Sequence, residues 1–460
     1  GMIRTAFVAA TTLLIATPVI AQSQQELLDQ RYDRVLAAGY KALFLCGAIA
    51  NAERNGATRS PESVLQWELS GIQPPLDSIV GALPFEITRN SSGTVERVEV
   101  SWADDMPPRV AAHIDGAGCR NMPVGLKAHS ESPENKSGGS MRSAPISAKS
   151  AEWPVASLSV DLTHEFTGAF NGTYGDGSRT TAVLVLRGNE ATEMYVESFS
   201  PDTPQRTWSV AKSIASTLVG AAAHRGEADV SVSAGLGEDE SDPRRAVTID
   251  HLLRMSSGRY SDTPGNRTNT LYYGGSSIDE TAAHWPLVYM PGSVYRYANN
   301  DTLMAISAIK GSFEAYPPAD VFAKLGMHHT VAETDWKGDY ILSSQVWSTA
   351  RDLARLGQLY LDGGVLPNGV RVLPEDWVEY VSTPSGPQPE GRGIGYGAGW
   401  WLFNNSEGIP SDTFAAMGNR GQYLVVVPSM DVVIVRRGED PTGSRFDIVA
   451  FTRDVLKEIE

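Results

Sequence analysis

The chain has 460 residues, 42% of them hydrophobic and 20% charged, close to globular averages, which excludes wholesale disorder. Lysine plus arginine total 38 against 54 aspartate plus glutamate, a formal net charge of -16, so neither nucleic acid nor an anionic membrane is expected as the main partner. Two cysteines and eight histidines show no paired metal-ligand spacing, so no metal or other cofactor is expected.

Met2-Ile3-Arg4 is a short basic start, and Ala6 to Ile20 is mostly apolar. Residues 1–21 read as a secretory signal peptide cut before Gln22, too short for a comfortable membrane span. The mature protein is therefore expected outside the cytoplasm, periplasmic or secreted from a bacterium, with no membrane span. In that oxidising setting Cys46 and Cys119 can pair, closing a 73-residue span; two buried free thiols are the alternative. A bond there stabilises by roughly 4 kcal/mol on the loop-entropy view.

Residues 22–126 form a first segment of unassigned role. Apolar residues between Gln25 and Leu45 recur at three and four, which predicts a helix, and Thr94 to Trp102 alternates like a half-buried strand. Residues 127–150 turn to Ser, Pro, Gly, Lys and Asn and read as a linker or surface excursion. Next comes a hairpin, Thr181–Arg187 and Ala191–Glu197 around Gly188-Asn189, and then a strong helix from Val210 to Ala223. Helical patterns dominate residues 246–380, including Thr248–Met255 and Thr349–Leu361. Strands follow at Gly399–Phe403, Gln422–Val427 and Asp431–Arg436, then a last helix from about Arg445 to Lys457. The order is strands, helical insert (about 210–390), strands, helix. It predicts a mixed α/β (α+β) domain over residues 151–460: an antiparallel sheet flanked by helices, with a cleft beside the insert.

Chemistry concentrates at Thr207-Trp208-Ser209-Val210-Ala211-Lys212. On a helix, positions i and i+3 share a face, so Ser209 and Lys212 project together near its start. A serine hydroxyl needs a base, and a helix N-terminus offers N–H groups to a developing oxyanion. The pattern alone is weak; Ser307-Ala308-Ile309-Lys310 repeats it in an apolar helix and reads as a decoy. Two further stretches add weight. Tyr295-Arg296-Tyr297-Ala298-Asn299 offers a phenol for proton transfer and an amide to hold a carbonyl or the lysine. Ala416-Met417-Gly418-Asn419-Arg420-Gly421-Gln422 opens a strand with glycines that permit close backbone approach.

In this order the motifs resemble the serine β-lactamase and penicillin-binding-protein superfamily. The match is to the class C-related branch, and the pattern is most similar to 6-aminohexanoate-dimer hydrolases and family VIII esterases. Thr248-Ile249-Asp250-His251-Leu252-Leu253-Arg254-Met255-Ser256-Ser257-Gly258, Leu325-Gly326-Met327, Ser348-Thr349-Ala350-Arg351-Asp352-Leu353-Ala354-Arg355-Leu356-Gly357 and Tyr396-Gly397-Ala398-Gly399-Trp400 resemble further family segments. The resemblance covers roughly residues 155–460.

It implies a β-lactamase-like fold and a cofactor-free acyl-serine hydrolase for a small amide or ester. Ser209 is then the nucleophile, Lys212 its activating partner and Tyr297 the proton carrier. Asn299 orients the substrate or Lys212, and the N–H groups of Ser209 and Asn419, after Gly418, form the oxyanion hole. One departure stands out: the family's usual Lys or His of the third motif is Ala416 here, which argues against strong β-lactamase activity. Arg420 is a candidate replacement charge. The alternatives are a hydrolase of D-amino peptides or β-lactams, and a weakly catalytic sensor module. The oligomeric state is left open. Residues 258–291 form a candidate lid, with Tyr272, Tyr273 and a Gly274-Gly275 hinge, and Trp208 and Trp400 are candidate walls of an apolar pocket.

Overall fold

A computed structural model describes residues 16–127, 152–154, 156–261, 268–391 and 393–460. Most of the expected signal peptide, nearly all of the expected linker and residues 262–267 of the candidate lid lie outside them.

Helix α1 (Ala16–Arg54) is longer than the periodicity predicted and runs through the expected cut at Ala21-Gln22. From Val35 to Ala52 it is buried, so its apolar stretch serves as a core helix. It is followed by α2 (Pro61–Gln66) and four strands, β1 (Phe85–Arg89), β2 (Val95–Val100), β3 (Arg109–Ile114) and β4 (Gly118–Asn121). The strands form an antiparallel sheet in sequence order that packs on α1. Cys46 of α1 and Cys119 of β4 are joined by a disulfide.

The larger unit starts with α3 (Thr163–Phe170), β5 (Thr180–Arg187), β6 (Glu190–Tyr195), the short β7 (Gln205–Arg206) and α4 (Val210–His224). Then come α5 (Ile249–Leu253), α6 (Asn269–Tyr272), α7 (Ile278–Thr281), α8 (Asn299–Ile309) and α9 (Pro318–Lys324). The expected helical insert also carries β8 (Val331–Ala332) and β9 (Val346–Ser348), which make a small sheet with β7, before α10 (Ala350–Leu361) and α11 (Trp377–Ser382). The chain ends with β10 (Gly395–Tyr396), β11 (Trp401–Leu402), β12 (Phe414–Gly418), β13 (Gln422–Val427), β14 (Val432–Gly438) and α12 (Ile448–Ile459).

The main sheet runs β10-β11-β12-β13-β14-β5-β6, so early and late strands meet where β14 pairs antiparallel with β5. Its central strands are apolar on both faces because both are covered. Leu184, Leu186, Leu424, Val426, Val433 and Val435 face the cluster with α4 and α10. Val183, Val185, Val425, Val427, Val432 and Ile434 face Phe451 and Val455 of α12. A one-residue slip would exchange the two sets. The first cluster continues into α1 and the four-stranded sheet, so the N-terminal segment shares its core with the larger unit.

The disulfide closes a 73-residue separation. A Cys46→Ala/Cys119→Ala variant is expected to lose about 4 kcal/mol of unfolding free energy. Guanidinium unfolding checks this; a loss under ~1 kcal/mol would show that the bond adds little to a shared core that already holds both ends.

Candidate active site

β7 leads into α4 through Thr207 and Trp208, and Ser209 stands at the helix N-cap. Trp208 takes φ +52, the left-handed region that costs a bulky residue about 1–2 kcal/mol. The turn is held from several sides. The Thr207 N–H donates to Val346 O at 2.7 Å, and Arg206 pairs with Trp347 of β9. The buried Arg437 guanidinium of β14 donates to Gln205 O at 2.9 Å and Ser348 O at 2.6 Å, and burial lowers it to about 10.

One turn into α4, Lys212 is 2% exposed. Its Nζ lies 2.8 Å from Ser209 Oγ, 2.7 Å from Asn299 Oδ1 and 2.9 Å from Ser343 O. Each acceptor is itself placed. Asn299 begins α8, and its Nδ2 donates to Thr268 Oγ1 at 2.9 Å. Ser343 Oγ and the Tyr272 hydroxyl share a hydrogen bond of 2.6 Å. The Tyr297 ring sits 4.8 Å from Lys212 Nζ and stacks on Trp401 at 5.5 Å. Beside it, burial raises the Tyr396 hydroxyl far above its ordinary value, and Tyr297 and Tyr295 add to the shift. Chemically, this is a hydroxyl within proton-transfer distance of a desolvated amine, at the positive end of a helix dipole, with a phenol beside the amine.

The segment around Met255 supports the tyrosine loop. Arg296 N–H donates to Met255 O at 2.8 Å, Ala298 N–H meets Met255 Sδ at 3.4 Å, and Gly292 N–H donates to Ser256 O at 2.7 Å. Ser213 Oγ and Ser216 Oγ of α4 donate to Gly399 O and Ala398 O, which fixes the stretch leading to Trp401. These motif segments hold the backbone around the polar centre.

Gly418 closes the other side. A Cβ there would lie 2.4 Å from Thr207 O and 3.1 Å from Ser209 N, so only glycine lets β12 come this near the serine. Asn419 follows it, exposed at the tip of the β12–β13 hairpin.

The structure thus gathers Ser209, Lys212, Tyr297, Asn299 and Gly418. It turns others away. Gly421 has φ +83, and a Cβ there would overlap the Arg436–Asp440 ion pair, so this glycine serves the sheet edge and lies off the serine. Arg420 is buried against Glu439 and the Glu68 and Ser70 carbonyls, which removes it as a replacement for the missing third-motif cation. Trp400 corrects an expectation: it is fully buried between Tyr360 and Phe414, inside the core. Its neighbour Trp401, the first residue of β11, points the other way and is the one that reaches Tyr297. Trp208 is 5% exposed, beneath the serine turn. Tyr272 and Tyr273 are buried, and Asn121 Nδ2 donates to Tyr273 O at 3.1 Å, so this part of the candidate lid is fastened to β4. Sequence reasoning missed Thr268, Ser343, Met255 and Trp401; only the Met255 and Trp401 stretches carried a pattern, and neither said which residue faced the site.

The β-lactamase family model matches residues 169–449, more than half of the chain, and the chain belongs to that family. It is a hydrolase of the β-lactamase fold, and it is similar to a 6-aminohexanoate-dimer hydrolase from Paenarthrobacter ureafaciens: 29% identical over 309 residues, covering 57% of this chain and 73% of that protein. A Bacillus anthracis protein provisionally described as a 6-aminohexanoate-dimer hydrolase shares the fold, with TM-score 0.55 and 22% identity over 67% of this chain and 87% of that one. A penicillin-binding protein from Bacillus halodurans does so with TM-score 0.50 and 15% identity, over 65% of this chain and 100% of that one.

A Gly418→Ala variant is expected to fold with a lowered melting temperature and to lose at least ~10-fold in turnover, because the added methyl displaces the Thr207–Ser209 backbone. Steady-state kinetics beside thermal unfolding checks this; unchanged turnover would remove the argument for close approach.

Proposed function

We propose that the protein is an exported serine hydrolase that cleaves a small amide or carboxylic ester through an acyl-serine intermediate. The observation that carries the reading is the Lys212 Nζ at 2.8 Å from Ser209 Oγ, held at the same time by Asn299 and Ser343. In this reading residues 151–460 carry the chemistry. Ser209 Oγ adds to the substrate carbonyl carbon. Its proton is relayed through the Lys212 head group and the Tyr297 hydroxyl to the leaving nitrogen or oxygen as the bond to carbon breaks. Water then attacks the Ser209 ester, the acid leaves and the serine hydroxyl is restored. The N–H groups of Ser209 and Asn419 receive the oxyanion in both steps.

Two observations support the substrate class. Ala416 brings no cation to the position where relatives hold a substrate carboxylate, and Arg420 is committed to Glu439. The Paenarthrobacter relative is named for hydrolysing a 6-aminohexanoate dimer, which supports an amide. Export is supported by the apolar leader pattern and by the closed Cys46–Cys119 bond.

The test is hydrolysis of p-nitrophenyl butyrate by the wild type and by Ser209→Ala, with a chromogenic cephalosporin in parallel. The wild type is expected to turn over butyrate, the variant to lose at least ~10³-fold, and the cephalosporin to stay intact. Cephalosporin cleavage lost with Ser209 would move the reading to β-lactams and D-amino peptides. An unaffected variant, or a wild type inert toward every ester and amide tried, would leave a binding module.

A further inference from the structure

The N-terminal segment precedes the matched family region, yet its side chains reach the turn that presents Ser209. Phe44 of α1 stacks on Trp208 at 5.6 Å and 29°, and meets Trp347 of β9 edge-on at 6.0 Å. Arg206, 1% exposed, lies among four rings: Trp208 at 4.2 Å, Phe44 at 5.2 Å, Tyr272 at 5.2 Å and Tyr273 at 5.9 Å. Its Nη2 donates to Ser344 Oγ at 2.8 Å, beside the carbonyl that holds Lys212. Among the described residues its Nε and Nη1 have no hydrogen-bond partner, and the rings are what they face. Tyr40 of α1 packs on Tyr273 at 4.5 Å.

A second link comes from β4. Glu333 accepts from the Cys119 N–H at 2.5 Å and from Trp347 Nε1 at 2.9 Å, joining the first sheet to the strand that pairs with Arg206.

We infer that the N-terminal segment is a positioning element for the nucleophile: Phe44 and Arg206 together hold Trp208 in its left-handed conformation and so set the aim of Ser209. The inference rests on Ser209 being the nucleophile. Both side chains are buried, 1% exposed, beneath the turn and out of reach of a substrate. Their loss misplaces the attacking oxygen without altering what binds, so the effect falls on kcat and on the rate of acylation.

The experiment uses the mature full chain, with Phe44→Leu, Arg206→Lys and, as a control on the exposed part of α1, Leu28→Ala. Arg206→Lys keeps the charge and loses the planar group that lies among the rings. Acylation is read as the rate of Ser209 labelling by a fluorophosphonate ester, located by peptide mass spectrometry, with kcat and KM for p-nitrophenyl butyrate expressed per titrated site. Phe44→Leu and Arg206→Lys are expected to label Ser209 to completion at least ~10-fold more slowly, with KM within about twofold and Leu28→Ala like the wild type. Per-site rates within twofold of wild type in both variants would overturn the positioning role, because a merely structural part changes the titratable fraction and leaves the per-site rate. Should one variant fail to fold, the other decides. A wild type that is never labelled at Ser209, while Ser209→Ala stays active, overturns the hydrolase reading itself and the inference with it.

Discussion

A lysine ammonium withdrawn from water must find oxygen acceptors, since leaving it bare costs several kcal/mol. Lys212 is in that position, and its acceptors come from its own helix and two distant stretches: Ser209 one turn back, Asn299 at the start of α8 and Ser343 ahead of β9. Satisfying one head group therefore fixes where three parts of the chain meet. Two of these acceptors are fixed in turn, Asn299 by Thr268 and Ser343 by Tyr272. These acceptors are a hydroxyl, an amide and a carbonyl. Neutral oxygens hold a buried ammonium without binding its proton as tightly as a carboxylate would, which suits the proton relay proposed for Lys212.

The sheet supplies the opposite wall under a different constraint. Joining β14 to β5 brings late strands beside early ones, and β12 then reaches the serine turn only because Gly418 has no side chain. Arg437, fully enclosed, bonds the backbone of β7 and β9 and so ties the sheet to the turn. A buried guanidinium with its donors matched to carbonyls is stable there; one partner fewer would leave an uncompensated charge.

The pattern of the sequence was enough for the fold class, the resemblance and most element cores, because β13 and β14 hold short continuous apolar runs and α12 a period-3.6 signal that local sequence preserves. Ser209 and Lys212 stood out because i and i+3 is itself a geometric statement. Ser343 could not be found that way: it contributes a backbone carbonyl, and every residue has one. The choice between Trp400 and Trp401 failed for a related reason. In a strand adjacent residues face opposite ways, and a two-residue strand such as β11 offers no alternation from which to tell which way is in. Arg420 read as a free charge until Glu439 and the Glu68 and Ser70 carbonyls, all remote or hidden in sequence, surrounded it.

The N-terminal segment raises a question of necessity. The family match begins at residue 169, after α1 and its sheet, so both lie outside the matched region. What α1 and its sheet contribute here is then local. The left-handed Trp208 costs about 1–2 kcal/mol, and a stacked ring or a desolvated guanidinium over an aromatic face each contributes about 0.5–2 kcal/mol. Phe44 and Arg206 are thus of the right size to offset that strain, and too small to account for the stability of the whole fold. A contact of that magnitude selects between nearby conformations of one turn, and the conformation of that turn decides where the Ser209 hydroxyl points.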